Sequence, residues 1–211
     1  MNLSRSGMMI ILSSPSGAGK TTLVKLLSEK DKNLKISISF TTRISRNNEV
    51  DGKDYFFVDE KKFNELVKDG SFYEYAKVFK NFYGTPKKQV LDYLKEGKDV
   101  LFDIDWQGTQ QIKKQKLESK LISFFILPPS IDELKKRLSS RDSQDKSIVE
   151  NRMTQFDNDL SHWKDYDYVI INTDLNNCYS EINKIIQDER KGKKTLLDQD
   201  LIKRKVLELS R

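Results

Sequence analysis

The fold class is decided by residues 9–29, which read MIILSSPSGAGKTTLVKLLSE. Met9–Ser13 is a short apolar run typical of a buried strand, and Thr21–Glu29 has the apolar spacing of a helix. The residues between them, Ser14-Pro15-Ser16-Gly17-Ala18-Gly19-Lys20-Thr21, follow the P-loop pattern, except that Ser14 stands where the pattern has its first glycine. A strand, a glycine-rich loop and a helix in this order predict a nucleotide-binding unit.

The residue types of this loop suit the binding of phosphate groups. Gly17 and Gly19 let backbone N–H groups turn inward around phosphate oxygens, and the N-terminus of the helix adds positive potential. Lys20 would then reach the β- and γ-phosphates, and the Thr21 hydroxyl would coordinate Mg²⁺. The loop therefore predicts a bound nucleotide but does not say which reaction follows.

The rest of the chain alternates short apolar runs with helical patterns, which is typical of a parallel sheet flanked by helices. Further strands are predicted at Val100–Ile104, Leu121–Leu127 and Val169–Ile171. Helices are predicted at Lys87–Glu96, from an N-cap at Ser130 through Ser139, near Tyr179–Arg190 and at Leu196–Leu209.

Two stretches interrupt the alternation. The segment from Ser37 to about Thr85 is rich in aromatic residues and predicts a small sheet with one helix near Glu60–Lys68. The segment Ser140–Ser147 contains no apolar residue and predicts an exposed, mobile loop.

Composition excludes several classes of protein. The 211 residues favour one compact domain. The net charge of +6 comes mostly from scattered lysines, without the basic stripe of a nucleic-acid binder. The apolar run Met8–Leu12 is too short for a membrane span or a signal-peptide core. The single cysteine, Cys178, excludes an internal disulfide and, with no export signal, predicts a cytoplasmic location.

The nine arginines are more informative than the lysines. Five of them fall in three places, as Arg43 with Arg46, Arg137 with Arg141, and Arg152. A guanidinium forms bidentate bonds with phosphate and keeps its proton, so these positions suggest phosphate clamps. Arg137 and Arg141 are four residues apart, which places both on one face of a helix. The chain has no Asn-Lys-x-Asp motif of a GTPase, so a small phosphotransferase fits best.

Several motifs together resemble the guanylate kinase family. They are Ser13–Thr22, Ser39-Phe40-Thr41-Thr42-Arg43 with Arg46, Glu49-Val50-Asp51-Gly52-Lys53-Asp54-Tyr55, Phe82-Tyr83-Gly84-Thr85, Asp103-Ile104-Asp105-Trp106-Gln107-Gly108, Ile126-Leu127-Pro128-Pro129-Ser130 and Arg137-Leu138. The resemblance runs from about Met9 to Arg190. The sequence departs from the family pattern at Ser14, Ile44-Ser45, Ser140 and Asp142.

The resemblance implies a P-loop NTPase-type α/β fold, a parallel sheet flanked by helices with an inserted small mixed α/β lobe that binds GMP and a helical lid. The whole chain, 1–211, would be one unit of this kind. Its core would comprise residues 8–36 and 86–190, its insertion about 37–85, its lid about 137–152 and its helical tail 191–211.

The implied activity is ATP-dependent phosphorylation of GMP, and by expectation dGMP, with Mg²⁺ as cofactor. The implied GMP site comprises Ser39, Arg43, Arg46, Tyr55, Glu74, Tyr83, Thr85 and Asp105. The implied ATP site comprises Ser14, Pro15, Ser16, Gly17, Ala18, Gly19, Lys20, Thr21, Thr22 and Asn172. Lys20, Arg43, Arg137, Arg141 and Arg152 would serve catalysis, and Thr21, with Asp103 through water, would hold the metal.

The residues alone leave alternatives open. Glu74 could be an ordinary solvated acid, Tyr55 and Tyr83 could be core residues, and Asp103 could be a strand-end acid satisfied by the backbone. At the level of the whole chain, the rivals are a non-catalytic scaffold domain and a kinase for another small phosphate. The predicted partners are ATP and GMP, without nucleic acid or membrane, and a homo-oligomer is left open.

Overall fold

The computed structural model describes residues 6–78, 80–141 and 146–210, without the side chains of residues 141 and 146–148. Its strands are β1 Met9–Ser13, β2 Leu34–Ile36, β3 Phe40–Thr41, β4 Phe56–Phe57, β5 Phe72–Val78, β6 Asn81–Pro86, β7 Asp99–Asp103, β8 Leu121–Leu127 and β9 Tyr168–Ile171. Its helices are α1 Lys20–Lys30, α2 Glu60–Lys68, α3 Lys87–Lys95, α4 Trp106–Lys113, α5 Ile131–Arg141, α6 Lys146–Ser161, α7 Leu175–Arg190 and α8 Gln199–Leu209. Among these described helices, none is both long enough and apolar enough to cross a membrane.

The strands form two sheets. The larger has the order β2-β7-β1-β8-β9, and the smaller has the order β4-β3-β6-β5. In the larger sheet β2 runs parallel to β7 and β8 runs parallel to β9. The predicted α/β fold, a parallel sheet flanked by helices, is confirmed.

The chain divides into two compact units. The first contains the segment ending at Met9 together with Asn33–Leu121, and the second contains Ile10–Lys32 with Ile122–Arg211. We keep as predictions the bounds of the core, of the insertion at about 37–85, of the lid at about 137–152 and of the tail. The predicted lid also includes residues outside the described ones.

The smaller sheet of the first unit is held by aromatic side chains, as the sequence predicts. The β5–β6 hairpin pairs Glu74 with Thr85 and Ala76 with Tyr83. Helix α2 covers it and begins at Glu60, and the Asp59 carboxylate caps the helix by accepting from the Lys62 N–H at 2.7 Å. Phe63 of α2 is fully buried against the Phe72 ring, with centroids 5.0 Å apart. Burying such rings removes large apolar areas from water, which stabilises the packing of α2 on the sheet.

The second unit buries its strands on both sides. Every residue of β1 is buried, and so are Phe124–Leu127 of β8. Both strands are apolar apart from Ser13 and Ser123, because helices cover both faces of a parallel sheet. Helix α8 packs on β9 and buries Ile202 and Leu209. The Lys205 ammonium donates to the Pro129 carbonyl at 3.1 Å, just before α5 begins.

The structure moves several predicted boundaries. Strand β7 begins and ends one residue earlier than predicted, and β9 begins one residue earlier. Helix α7 begins at Leu175 rather than near Tyr179, because Asp174 caps it by accepting from two backbone N–H groups. Helix α8 begins at Gln199 rather than Leu196, with Asp198 as its cap.

The predicted loop Ser140–Ser147 is wrong at both of its ends. Helix α5 continues through Arg141, and α6 already begins at Lys146. Polar residues are compatible with an exposed helix, and the Ser140 hydroxyl donates to the Arg137 carbonyl within the helix at 3.0 Å. Residues 142–145 lie outside the described part of the chain.

Candidate active site

The P-loop of the second unit has the backbone that its glycines predict. Gly17 and Gly19 have φ angles of +87° and +98°, in the left-handed region that favours glycine. Gly19 is also the N-cap of α1, so the capping residue itself has no side chain to bond the first N–H groups of that helix. Those N–H groups and the positive end of the helix are the elements of an anion site.

Helix α5 packs directly on this loop. A Cβ at Gly17 would lie 2.8 Å from Leu138 Cδ2 and 3.0 Å from Leu134 Cδ1, so only glycine fits there. One turn along the helix, the Arg137 guanidinium lies 3.8 Å from where a Cβ of Gly19 would be. The same side chain donates from Nε to Glu133 Oε1 at 2.9 Å, which leaves its terminal nitrogens directed at the loop side.

Two more predicted arginines belong to the second unit. The Arg152 guanidinium of α6 donates to the Ser16 hydroxyl of the loop at 3.2 Å. Arg141 ends α5, one helical turn beyond Arg137, and its side chain lies outside the described ones. The structure therefore brings Arg137 and Arg152 to the P-loop, and Arg141 stays a prediction.

Asn172, which follows β9, also reaches the loop. Its side chain is buried, and its amide donates to the Ala18 carbonyl at 2.8 Å. Asn172 thus contacts the backbone of the loop and holds the loop in place. Contact with the base of ATP, which the sequence predicts for Asn172, stays a prediction. Ser14 contacts its own neighbour, since its hydroxyl donates to the Pro15 carbonyl at 2.8 Å.

The other predicted residues lie in the first unit, where Arg43 and Arg46 share a carboxylate. Arg43 donates to both oxygens of Glu49 at 2.8 and 2.9 Å, and the Arg46 backbone N–H donates to the same group at 2.9 Å. Burial alone would raise the pKa of Glu49, but these bonds hold it below its ordinary value. Burial alone would lower the pKa of Arg43, but Glu49 and Tyr83 raise it above the ordinary value. Both groups stay charged.

Two tyrosines complete this cluster. The Tyr55 and Tyr83 rings meet edge to face with centroids 6.0 Å apart, and the Arg43 guanidinium lies 5.4 Å from the Tyr55 centroid. Burial, and then the charge of Asp103 at the end of β7, raise the pKa of the Tyr55 hydroxyl. The phenol therefore stays protonated and can donate a hydrogen bond to an anion.

The predicted carboxylate pair meets at Gly108. Glu74 is buried and accepts from the Thr85 hydroxyl at 2.6 Å, so it is not a solvated surface acid. Asp105 caps α4 by accepting from the Gly108 N–H at 3.0 Å. A Cβ at Gly108 would lie only 2.6 Å from Glu74 Oε2. Ser39 precedes β3, and its carbonyl accepts from the Phe56 N–H.

Sequence reasoning did not assign roles to two residues of this site. Glu49 is the partner of both Arg43 and Arg46, and its signal is the spacing of three between Arg43, Arg46 and Glu49. Gly108 was noted only as part of a motif, although it contacts both members of the carboxylate pair.

The family model described as guanylate kinase matches residues 6–189. The chain belongs to the guanylate kinase family. It is therefore a kinase, and a non-catalytic scaffold domain is set aside.

Relatives match along most of their length. A guanylate kinase from Novosphingobium aromaticivorans is 50% identical over 188 residues, which are 89% of this chain and 85% of the relative. One from Paramagnetospirillum magneticum is 48% identical over 188 residues, 89% and 87% of the two chains. The crystal structure of guanylate kinase from Anaplasma phagocytophilum matches with a TM-score of 0.73 and 36% identity, covering 88% of this chain and 87% of that one. The guanylate kinase match ends before α8.

Proposed function

We propose that this kinase transfers the γ-phosphoryl group of ATP directly to GMP, and also to dGMP, with Mg²⁺. The observation that carries the proposal is the composition of the first-unit site, where two arginines and two tyrosines accompany the buried Glu74 and the half-buried Asp105. Tyr83 and Thr85 lie two residues apart on β6 and so share a face, about 7 Å apart along the strand. Tyr83 would thus contact the phosphate, and Thr85 would assist base reading, from one face of the same strand, which supports the proposal.

Guanine presents the groups that this surface would recognise. Its N1–H and N2 amine are adjacent donors, and Glu74 and Asp105 are acceptors. Thr85 donates to Glu74 Oε1, which fixes the orientation of that carboxylate. Ser39 would supply a hydroxyl donor to O6 of the base. Because the carboxylate of Glu74 is buried, its bonds to the base would form in a site largely protected from water.

The phosphate of GMP would be held by Arg43, Arg46, Tyr55 and Tyr83. A phosphate oxygen of GMP attacks the γ-phosphorus of ATP, the bond from that phosphorus to the β–γ bridging oxygen breaks, and ADP leaves with those electrons. Phosphoryl transfer requires mainly positioning and neutralisation of charge. Lys20, Arg137, Arg141 and Arg152 would supply that charge around the ATP phosphates, and Arg43 would align the acceptor.

The donors at the P-loop suit magnesium. Mg²⁺ prefers oxygen ligands, keeps several waters and is usually held by one or two protein groups together with substrate phosphates. The Thr21 hydroxyl in the first turn of α1 is such a donor, and Asp103 would act through water. No cluster of three or more His, Cys, Asp or Glu side chains suited to a metal occurs among the residues described. When bound, Mg²⁺ supplies positive charge to the β- and γ-phosphates.

The test is a product assay with purified protein, ATP and one acceptor at a time, chosen from GMP, dGMP, AMP, UMP and CMP. We expect GDP or dGDP to form in equal amounts with ADP, and the pyrimidine nucleotides to give almost none. ADP release that does not depend on the acceptor, or preference for another acceptor, would contradict the proposal. Repeating the assay with EDTA should abolish transfer if Mg²⁺ is required. A cytoplasmic location and the oligomeric state stay open to separate measurement.

Replacing Glu49 with glutamine should raise KM for GMP by roughly tenfold and leave KM for ATP unchanged. The amide keeps the shape of the side chain but loses the charge-assisted bonds to Arg43 and Arg46, each of which contributes on the order of 1.5–3 kcal/mol. The two arginines would then lose their fixed position before GMP binds. Steady-state kinetics with each substrate varied in turn measures the effect.

The matched control is Glu65→Gln on α2, where the exposed carboxylate pairs only with Lys62 in the same helix. Exposed pairs of this kind contribute little, so both KM values should stay unchanged. Equal effects of Glu49→Gln on GMP and ATP would contradict the assigned role of Glu49.

A further inference from the structure

Gly108 stands at a position where a helix disfavours glycine. It lies inside α4 and is buried, and its φ is not among the positive angles of the described glycines. It lies in the first turn of that helix, and glycine is less favourable than alanine in helices. No turn or strained backbone explains the choice, so the reason must lie in what surrounds the missing side chain.

The neighbour that excludes a side chain is Glu74 of β5. A Cβ at Gly108 would lie 2.6 Å from Oε2, 2.9 Å from Cδ and 3.3 Å from Cγ of Glu74, and the first two distances are too short for non-bonded carbon contacts. Glu74 has little freedom to withdraw, because it is buried and its other oxygen accepts from Thr85 on the paired strand. The approach of α4 to β5 therefore depends on glycine.

The backbone of the same residue holds the second carboxylate. The Gly108 N–H donates to Asp105 Oδ1 at 3.0 Å, and Gln107 Nε2 donates to Oδ2 at 3.2 Å. Gly108 thus orients Asp105 through its N–H, and its lack of a Cβ leaves room for the Glu74 carboxylate. The distance between the two carboxylates follows from the position of this one peptide unit.

We propose that Gly108 is a positioning residue that determines base specificity, because it sets the spacing of the two carboxylates to the adjacent N1–H and N2 donors of guanine. The proposal rests on the proposed function, in which these carboxylates read the base. Gly108 itself contacts no substrate and acts through Glu74 and Asp105. A side chain here would displace Glu74 and leave the phosphate-gripping cluster and the P-loop unit unchanged.

The first experiment measures kcat/KM of the Gly108→Ala variant with GMP and with IMP. The base of IMP keeps N1–H but lacks the N2 amine. We expect kcat/KM for GMP to fall at least tenfold, the preference for GMP over IMP to narrow, and KM for ATP to stay within twofold. A purely structural role would lower turnover with both acceptors alike. Lys113→Ala, at an exposed position of the same helix, is the control and should change neither preference nor rate.

The second experiment adds Glu74→Asp, which shortens the carboxylate side chain by one methylene and gives back room for a Cβ. We expect Gly108→Ala to cost clearly less in the Glu74→Asp background than in the wild type, both in kcat/KM and in Tm. This comparison tests the contact between Gly108 and Glu74 even if Gly108→Ala alone is unstable, because removing the clash should restore the folding of the double variant. The free-energy effects of two substitutions add when the residues are independent, and they do not add when the two side chains contact each other.

Two results would overturn the role of Gly108. One is an unchanged preference for GMP over IMP in Gly108→Ala, and the other is a strictly additive double variant. Failure of the wild type to phosphorylate GMP is a different result, seen before any variant is compared, and it would contradict the proposed function itself.

Discussion

Lys20→Ala is expected to lower kcat by at least about 10³-fold while the protein remains folded. Removal of a group that stabilises charge on a transferring phosphoryl or acyl group typically costs 10²–10⁵-fold in rate. Lys20 is the first residue of α1, directly after the left-handed Gly19, so its ammonium belongs to the loop that would surround the β- and γ-phosphates. Its side chain is only partly buried, so its loss should leave no core cavity.

The measurement is a coupled ADP-release assay at saturating ATP and GMP, together with Tm by circular dichroism. Lys25→Ala is the control, since Lys25 is exposed on the same helix and alanine is a good helix former there. We expect that control to retain full turnover and the Lys20 variant to retain its Tm within a few degrees. Near-normal turnover of Lys20→Ala would contradict the role assigned to the P-loop.

Most of the fold could be predicted because its elements carry strong local signals. Strands β1 and β8 are apolar apart from Ser13 and Ser123, and their predicted bounds are the observed ones. Helix α2 also has its predicted bounds, because Asp59 caps it and one apolar side chain, Phe63, anchors it. Fully buried strands and capped amphipathic helices depend little on distant residues, so sequence alone is sufficient for them.

The parts that were missed depend on tertiary context. Strand β2 has only three residues, and it is a strand because β7 lies beside it in parallel register. Helix α6 was not predicted because its apolar residues are few and its first turn follows a long polar run. Such a segment becomes a helix through packing, including the contact of Phe156 with the core, which local periodicity does not report.

The site shows the same division. Residue type suggested the arginines as phosphate ligands, and the family resemblance implied the tyrosines and carboxylates. The structure brings Arg43, Tyr55 and Tyr83 together in one cluster. Sequence could not predict that Glu49 would bond both arginines, since that depends on the turn between Arg46 and Glu49. Nor could it predict that Asn172 would bond the backbone of a loop 154 residues away.

The wild type is expected to prefer GMP over AMP by about 10⁴-fold or more in kcat/KM, because sites built on hydrogen bonds to a substrate reject analogues that lack them. Adenine has an acceptor at N1 and no amine at C2, so at these two positions AMP would offer Glu74 and Asp105 no donors from its base. Each unpaired buried polar group costs about 1–3 kcal/mol, and a charged group costs more. The measurement is the initial rate of ADP formation with either nucleotide as the limiting substrate.

Glu74→Gln should then lower kcat/KM for GMP by about 10²–10³-fold, the equivalent of two charge-assisted hydrogen bonds, and change the AMP rate little. The Thr85 hydroxyl donates to Oε1 of Glu74, so a glutamine that keeps this bond must place its NH₂ donor where Oε2 lies. That donor would face the guanine donors, and the preference for GMP would narrow through lost GMP activity rather than gained AMP activity. Glu65→Gln, at an exposed position, should leave both rates unchanged.

A wild type that used AMP within about tenfold of GMP would contradict the guanine-reading role of this carboxylate pair. The role of Lys20 would be unaffected by that result, because the P-loop binds the phosphoryl donor rather than the acceptor base.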